Sequence, residues 1–376
     1  MINSPTRPLF DPADFRIPSN MTHVCAGGET AFLRRHDEAF ARYVDDKSRG
    51  SPGRTAQEAT VERTREQVAA LWGVRSDEIG WVSNVAEGIS LVLDSLEFKS
   101  GDNICLMDTE YPSVVAPVLA RPHPEYKVKL LSRAHSDGLA AAVDHNTRAI
   151  MVSYVSYLNG ERFDLQLLRE AADQVGALLI VDFTQASGYL PIMASIADFA
   201  FSSSYKWMLG MTGVATAYWN RQRIPHWQPV SAGWYSLASD ATGYSHGITL
   251  RPDALRFTRG NPCHAGLYVL SSALEYLSGF DPVKIQTHIQ GLTTDLLTRL
   301  AEHGVESSTP TDPAHHGASI CLSRNDAHAL HTRMGEANVL TWNGRGRLRI
   351  SFHGYNCRSD VDNVEAALLH ALACRD

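Results

Sequence analysis

The sequence predicts an α/β fold, a mostly parallel sheet flanked by helices, with a second, smaller α+β domain at the C-terminal end. Three observations carry this expectation. Short apolar runs (NICLMD, KVKLLS, AIMVSYVS, ALLIVDF, FAFSS and ATAYW) alternate with helical segments such as QLLREAADQVG, the pattern of strands covered on both faces. From Pro229 to Pro262 that pattern loosens into a long segment rich in glycine, serine and aromatics; connections of this length usually serve function or pack against a partner. After it, helical runs and the short strands GASICLS and RLRISF mix until the chain ends.

Taken in order, residues 1–20 read as an extended, proline-rich arm lying across a partner subunit, 21–255 as the large domain and 256–376 as the small one. Thr55 to Gly73 form a helix, with Val61, Val68, Leu71 and Trp72 at helical spacing and Gly73 as its stop. IGWVSN is a strand and AEGISLVLDSL the helix after it. Further helices fall near AGLYVLSSALEYLSG, VKIQTHIQGLTTDLLTRLAEHG and SDVDNVEAALLHALA, the last capped by Ser359.

Composition narrows the class. A chain of 376 residues with 44% hydrophobic and 20% charged residues is ordinary for a globular protein. A net charge of −7 argues against a nucleic-acid partner, which requires a basic surface. No apolar run has the length of a membrane span, and the N-terminus lacks an apolar signal core, so the cytoplasm is expected. The six cysteines are isolated, as in a reducing compartment. The 16 histidines, His315 and His316 included, offer no metal-ligand spacing and read as surface or loop residues.

The chemistry concentrates in ALLIVDFTQASGYLPI and ADFAFSSSYKWMLG, which place Asp182, Gln185, Ser203, Tyr205 and Lys206 within 25 residues. Ligands of open α/β sheets lie at the carboxyl ends of the strands, where Asp182 and Lys206 fall. Lysine can form a Schiff base with an aldehyde, and an aspartate facing a pyridine nitrogen keeps that nitrogen protonated. Together they are the requirements of pyridoxal 5'-phosphate (PLP). Gln185, three residues after Asp182, can bond the cofactor's phenolic oxygen, and Ser203 and Tyr205 offer hydroxyls to its phosphate. Ala86, Glu87 and Gly88 sit at a helix N-terminus, a ready anion site for the same phosphate. Tyr111, in DTEYPSVV, can stack on the pyridine ring. Arg349, in RLRISFHGYN, is the candidate fork for a substrate α-carboxylate. Arg345 and Arg347 are rivals for that role, and Arg347 shares Arg349's face of the strand, but both read as solvated arginines.

With V-D-F-T-Q-A, S-S-Y-K and R-I-S-F in place, the chain resembles fold-type I PLP enzymes of the class V aminotransferase group, from about Asn20 to the C-terminal helix. That group includes cysteine desulfurases, kynureninases and isopenicillin N epimerase-like proteins. The resemblance implies the fold of these enzymes, with a seven-stranded type of sheet, and a homodimer whose active site the neighbouring subunit completes. RFTRGNP resembles the segment by which that neighbour touches the cofactor phosphate, with Asn261 in place of the usual threonine. Trp234, in AGWYS, resembles a pocket tryptophan of kynureninases. The loop VCAGGE around Gly27 resembles one that approaches the substrate. Ala86 stands where the family usually has threonine, so backbone contacts to the phosphate are expected. Tyr111-Pro112-Ser113, Tyr157 and Tyr205 resemble kynureninases more than desulfurases.

The resemblance leaves the reaction open. A desulfurase needs a nucleophilic cysteine on a loop shortly before the late arginine, and MGEANVLTWNGRGRLRIS has none. The expected activity is therefore that of an aminotransferase acting on a small L-amino acid. A lyase or a kynureninase-like hydrolase is the alternative, and an epimerase a lesser one. A PLP-binding regulator without catalysis would need a DNA-binding extension or a basic arm, and the chain has neither.

Overall fold

The computed structural model describes residues 4–121, 126–132, 135–238 and 243–374. Its central sheet has seven strands, in the order Ile79–Val82, Ala215–Trp219, Phe199–Ser203, Leu178–Asp182, Thr147–Ser153, Asp102–Met107 and Tyr126–Leu131. Ala215–Trp219 runs antiparallel to both its neighbours, and the other pairings are parallel. Side chains alternate faces along a strand. Leu179 and Val181 accordingly enter one core cluster, and Ile180 enters the cluster on the opposite face. The edge strand Tyr126–Leu131 is half-exposed and carries Lys127 and Lys129, charges that protect an open edge.

The helices follow their local signals. Ser51–Trp72 starts four residues before the expected Thr55, with Pro52 in its first turn, and ends at Gly73 in the left-handed region, φ 64°. Val85–Asp94 is capped by Asn84, whose side chain accepts from the Glu87 N–H. This helix presses close on the sheet. A Cβ at Gly88 would lie 2.3 Å from the Phe201 ring, so only glycine lets the helix end approach the strand that leads to Lys206.

The C-terminal part has a three-stranded antiparallel sheet, Trp342–Gly344, Arg347–Ser351 and Ser319–Ser323. Helices Pro282–Glu302, Ala327–Glu336 and Arg358–Ala373 accompany it. Thr22–His23 pairs in parallel with Val339–Leu340, so the N-terminal segment returns to this part of the chain.

Three expectations need correction. The N-terminal arm does not reach away from its own chain. Phe10 and Phe15 are fully buried, Phe10 against Tyr276, Phe280 and His353 and Phe15 against Tyr355, and the Leu9 and Phe10 N–H groups donate to Gly354 O. Burying these rings outweighs an extended excursion. Ser359 lies inside the last helix, which begins at Arg358 after Cys357. The Asp360 carboxylate accepts from the Cys357 N–H there. His316 is buried, bonded to Pro310 O and Gln290, rather than at the surface. Residues 1–3 of the arm and 239–242 of the long segment lie outside the described residues. Among the described residues no helix is long and apolar enough to cross a membrane.

The cis docking of the arm has a measurable consequence. Phe10→Ala is expected to destabilise the protein by about 3–5 kcal/mol, the usual cost of truncating a buried phenylalanine, seen as a lower thermal midpoint. An unchanged midpoint would contradict the docking.

Candidate active site

The strands Leu178–Asp182 and Phe199–Ser203 are parallel neighbours, with Asp182 opposite Phe201. Their carboxyl ends therefore bring Asp182 and the segment after Ser203 to one place. A tight loop holds that segment. Ser204 Oγ contacts Met211 O and Val214 O at 2.8 and 2.9 Å, and Leu209 takes a left-handed φ of 59°. Strain of this kind persists where the surroundings over-determine the backbone. The loop buries Lys206, whose Nζ lies 5.4 Å from the Tyr111 ring centroid and 5.3 Å from that of Tyr205. Burial first, and then the Arg349 charge, lower the Lys206 pKa to about 8, with Asp182 and Glu29 opposing. Tyr205 is pushed up to about 12 by burial and stays a phenol.

Asp182 is buried and accepts from the Thr184 N–H at 2.8 Å. Burial raises its carboxyl above the usual range. Thr184 Oγ1 in turn accepts from the Ser203 N–H at 2.9 Å, tying the two strand ends together. Gln185 bridges two loops. Its Nε2 donates to Gly27 O at 3.0 Å and its Oε1 accepts from Trp207 Nε1 at 3.0 Å, which leaves one Nε2 hydrogen for a ligand. Glu110 was not singled out from the sequence. It is buried, accepts from the Tyr111 and Ser153 N–H groups at 2.7 and 2.8 Å, and so fixes where Tyr111 points.

At the other end of the site, the Val85–Asp94 helix points its first turn at a cavity of about 410 Å³. Ser83, Glu87, Thr258, Arg259 and Asn261 of the same chain line it. The Glu87 N–H is taken by Asn84, and its carboxylate pairs with Arg259 at 2.5 Å. Ala86 is not among the residues that line this cavity, whereas the hydroxyl residues Ser83 and Thr258 are. Asn261 Oδ1 accepts from Arg54 at 2.7 Å. Trp234 is 55% exposed and packs on Arg54 and Tyr235, away from the Lys206 cluster of its own chain.

The candidate substrate end, around Arg349, is built on the strand Arg347–Ser351. Arg349 is buried, donates to Tyr157 O at 3.3 Å and lies 4.6 Å from the Trp342 ring centroid. The Gly27–Gly28 backbone crosses directly above. A Cβ at Gly27 would be 2.7 Å from Ser351 Oγ, and one at Gly28 2.5 Å from Trp342 Cδ1, so the loop must be glycine there. Tyr157 stands edge-on to Tyr111, with centroids 4.9 Å apart. Arg345 is exposed and donates to the Tyr157 hydroxyl at 2.9 Å. Arg347, read from the sequence as solvated, is 0% exposed. It stands two residues before Arg349 and therefore on the same strand face. Trp342 carried no sequence signal, because its role depends on strand pairing opposite Arg349.

These groups fit PLP. A buried lysine amine with no hydrogen bond among the described residues stands beside an aromatic face and a buried acid raised by desolvation, and the first turn of the Val85–Asp94 helix faces the cavity. The lowered lysine pKa gives a prediction. Below about pH 8 the amine is mostly protonated and cannot attack an aldehyde. The rate of PLP uptake by cofactor-free protein should therefore rise about tenfold per pH unit and level off above that value. A rate still climbing at pH 10 would place the lysine in an unperturbed environment.

Comparison with known proteins identifies the family. The family model described as Aminotransferase class-V matches residues 31–364. The uncharacterized aminotransferase YcbU of Bacillus subtilis is 24% identical, over 94% of this chain and 96% of its own length. A cysteine desulfurase of Salmonella agona is 28% identical, over 90% and 88%. Among solved structures, the cysteine desulfurase CsdA of Escherichia coli superposes with a TM-score of 0.83 at 21% identity, over 96% of this chain and 97% of that one. The cystine C–S lyase C-DES, in complex with cysteine persulfide, superposes with a TM-score of 0.84 at 19% identity, over 93% and 97%. The protein is a PLP-dependent enzyme of fold type I, and the chain belongs to the class V aminotransferase family.

Proposed function

We propose that the protein is an aminotransferase acting on a small L-amino acid, as a homodimer. The observation that carries this reading is a single buried amine base at the reacting end of the site. The titratable groups that act on Lys206 are Arg349, Asp182 and Glu29. Asp182 lies at the strand end, Glu29 is exposed, and the neighbouring Tyr205 stays protonated. Proton movement at Cα thus falls to one amine on one face, which suits transamination or elimination. Epimerisation needs a second base on the opposite face.

When bound, PLP supplies an aldehyde and a ring that accepts electrons. Arg349 holds the substrate α-carboxylate and so turns the Cα–H toward Lys206. Lys206 would take that proton and deliver it to the carbon that carries the cofactor's aldehyde, not back to Cα, as transamination requires. Asp182 would keep the ring nitrogen protonated, and Tyr111, Tyr157 and Trp342 surround the space between Lys206 and Arg349.

Desulfurase activity, the activity named for several relatives, requires a reactive thiolate. Cys25 and Cys321 are buried, and burial raises both thiols. The exposed Cys263 lines the cavity at the helix end, not the Arg349 end. The turn ahead of Arg347 is Gly344-Arg345-Gly346, without a cysteine. An elimination-type lyase, which needs no thiolate, is the alternative. Single-turnover product analysis separates the readings. Stoichiometric keto acid without ammonia supports the aminotransferase; ammonia, alanine or sulfide release rejects it.

A further inference from the structure

Two buried guanidiniums meet beside Tyr157 with no carboxylate paired to either among the described residues. Arg347 and Arg349 are 0% and 3% exposed. They lie on one face of their strand, with backbones roughly 6.6 Å apart by the strand rise. Both pack on the Trp342 ring, at 5.1 and 4.6 Å from its centroid, and both donate to the same acceptor, Tyr157 O. Arg347 also lies 4.7 Å from the Tyr157 ring centroid. Beyond that shared carbonyl, Nε and Nη1 of Arg347 and Nε of Arg349 have no hydrogen-bond partner of ordinary geometry among the described residues, and the buried Cys321 thiol is the group that most favours both charges. No carboxylate is among the charges that act most strongly on either group.

Two other buried arginines of the chain are paired with carboxylates, and a third, Arg256, is met by the backbone carbonyls of Arg251 and Trp227. Arg65 pairs with Glu62 and Asp253, and Arg169 with Asp173 and Asp198. A buried charge without a partner is strongly unfavourable, and a guanidinium does not escape by losing its proton near neutral pH. One fork suffices for an α-carboxylate, so Arg349 does not explain Arg347. Tyr157 links Arg347 to the reacting centre, since its ring meets Tyr111, which meets Lys206. Arg345, exposed at the turn and bonded to the Tyr157 hydroxyl, extends the positive charge to the mouth.

We infer that the substrate is an α-amino dicarboxylic acid of the aspartate and glutamate class, whose second carboxylate is held by Arg347 while Arg349 holds the first. This assignment rests on the reading of the site as one for amino acids. It makes Arg347 the residue that determines specificity, and Arg345 a guide for anionic substrates whose effect weakens with salt.

Unreactive acids test it without turnover. Binding of glutarate against valerate, and of succinate against butyrate, is measured by calorimetry on the PLP-loaded wild-type protein. At least one dicarboxylate is expected to bind about 10–100-fold tighter than its monocarboxylate, the range of a hydrogen-bonded charge pair. Arg347→Met should reduce that ratio to near one, and Arg347→Lys should retain part of it. Equal binding within both pairs by the wild-type protein overturns the inference, whether or not the variants fold. A preference that survives in folded Arg347→Met, judged by its thermal midpoint, overturns it as well. The aminotransferase reading fails separately. Should dicarboxylates be preferred while no amino acid yields a keto acid, that reading falls and the anion site stands.

Discussion

Lys206→Ala is expected to lower turnover by at least about 10³-fold and to remove the visible absorption of the lysine-linked cofactor. The size follows from two losses. The amine that anchors PLP disappears, and so does the one base placed to move the Cα proton, a contribution of about 10²–10⁴ on its own. The fold should tolerate the change, because Lys206 makes no hydrogen bond among the described residues and its ammonium is disfavoured by burial. The thermal midpoint of the cofactor-free variant is therefore expected to equal or exceed that of the parent. Retained turnover in a folded variant would remove Lys206 from the mechanism.

Asp182→Asn should have the next largest effect, with kcat falling about 10²–10³-fold, as when one group that stabilises developing charge is lost. An asparagine fills the same space and can still accept from the Thr184 N–H, but it cannot keep a pyridine nitrogen protonated. The sign of the stability change separates this role from a structural one. Without cofactor, Asp182 is a buried acid raised by desolvation and with no salt bridge, so the amide is expected to be neutral or stabilising there. With PLP bound, the ring cation would be left without its partner, and the variant should be less stable than the parent. Equal effects in the two states would show that Asp182 does not meet the ring.

The parts of the site that were legible in the sequence are those whose chemistry is local. Asp182 and Lys206 close adjacent strands and lie only 24 residues apart in the chain (206 − 182), so their joint meaning survives in the linear order. Arg349 was legible through the residues around it. Glu110, Trp342 and Arg347 were not, because each acquires its role only through pairing. Glu110 acts because Ser153 lies beside Asp182 in the sheet, and Trp342 because it faces Arg349 across an antiparallel pair. Arg347 looks like any arginine near a turn until the Tyr157 carbonyl and two rings enclose it. The parallel sheet followed from the apolar runs, whereas the antiparallel Ala215–Trp219 left no mark, since a strand buried on both faces reads alike in either direction. The arm was misread because proline and polar residues suggested an excursion, while Phe10 and Phe15 already indicated burial.

The central claim is that Lys206 carries the cofactor. Borohydride reduction of the PLP-loaded protein, followed by peptide mapping, tests it most directly. The account predicts the phosphopyridoxyl mass on the peptide containing Ser204-Tyr205-Lys206, at a stoichiometry of one per chain. Label on any other lysine, or none on that peptide, would contradict it.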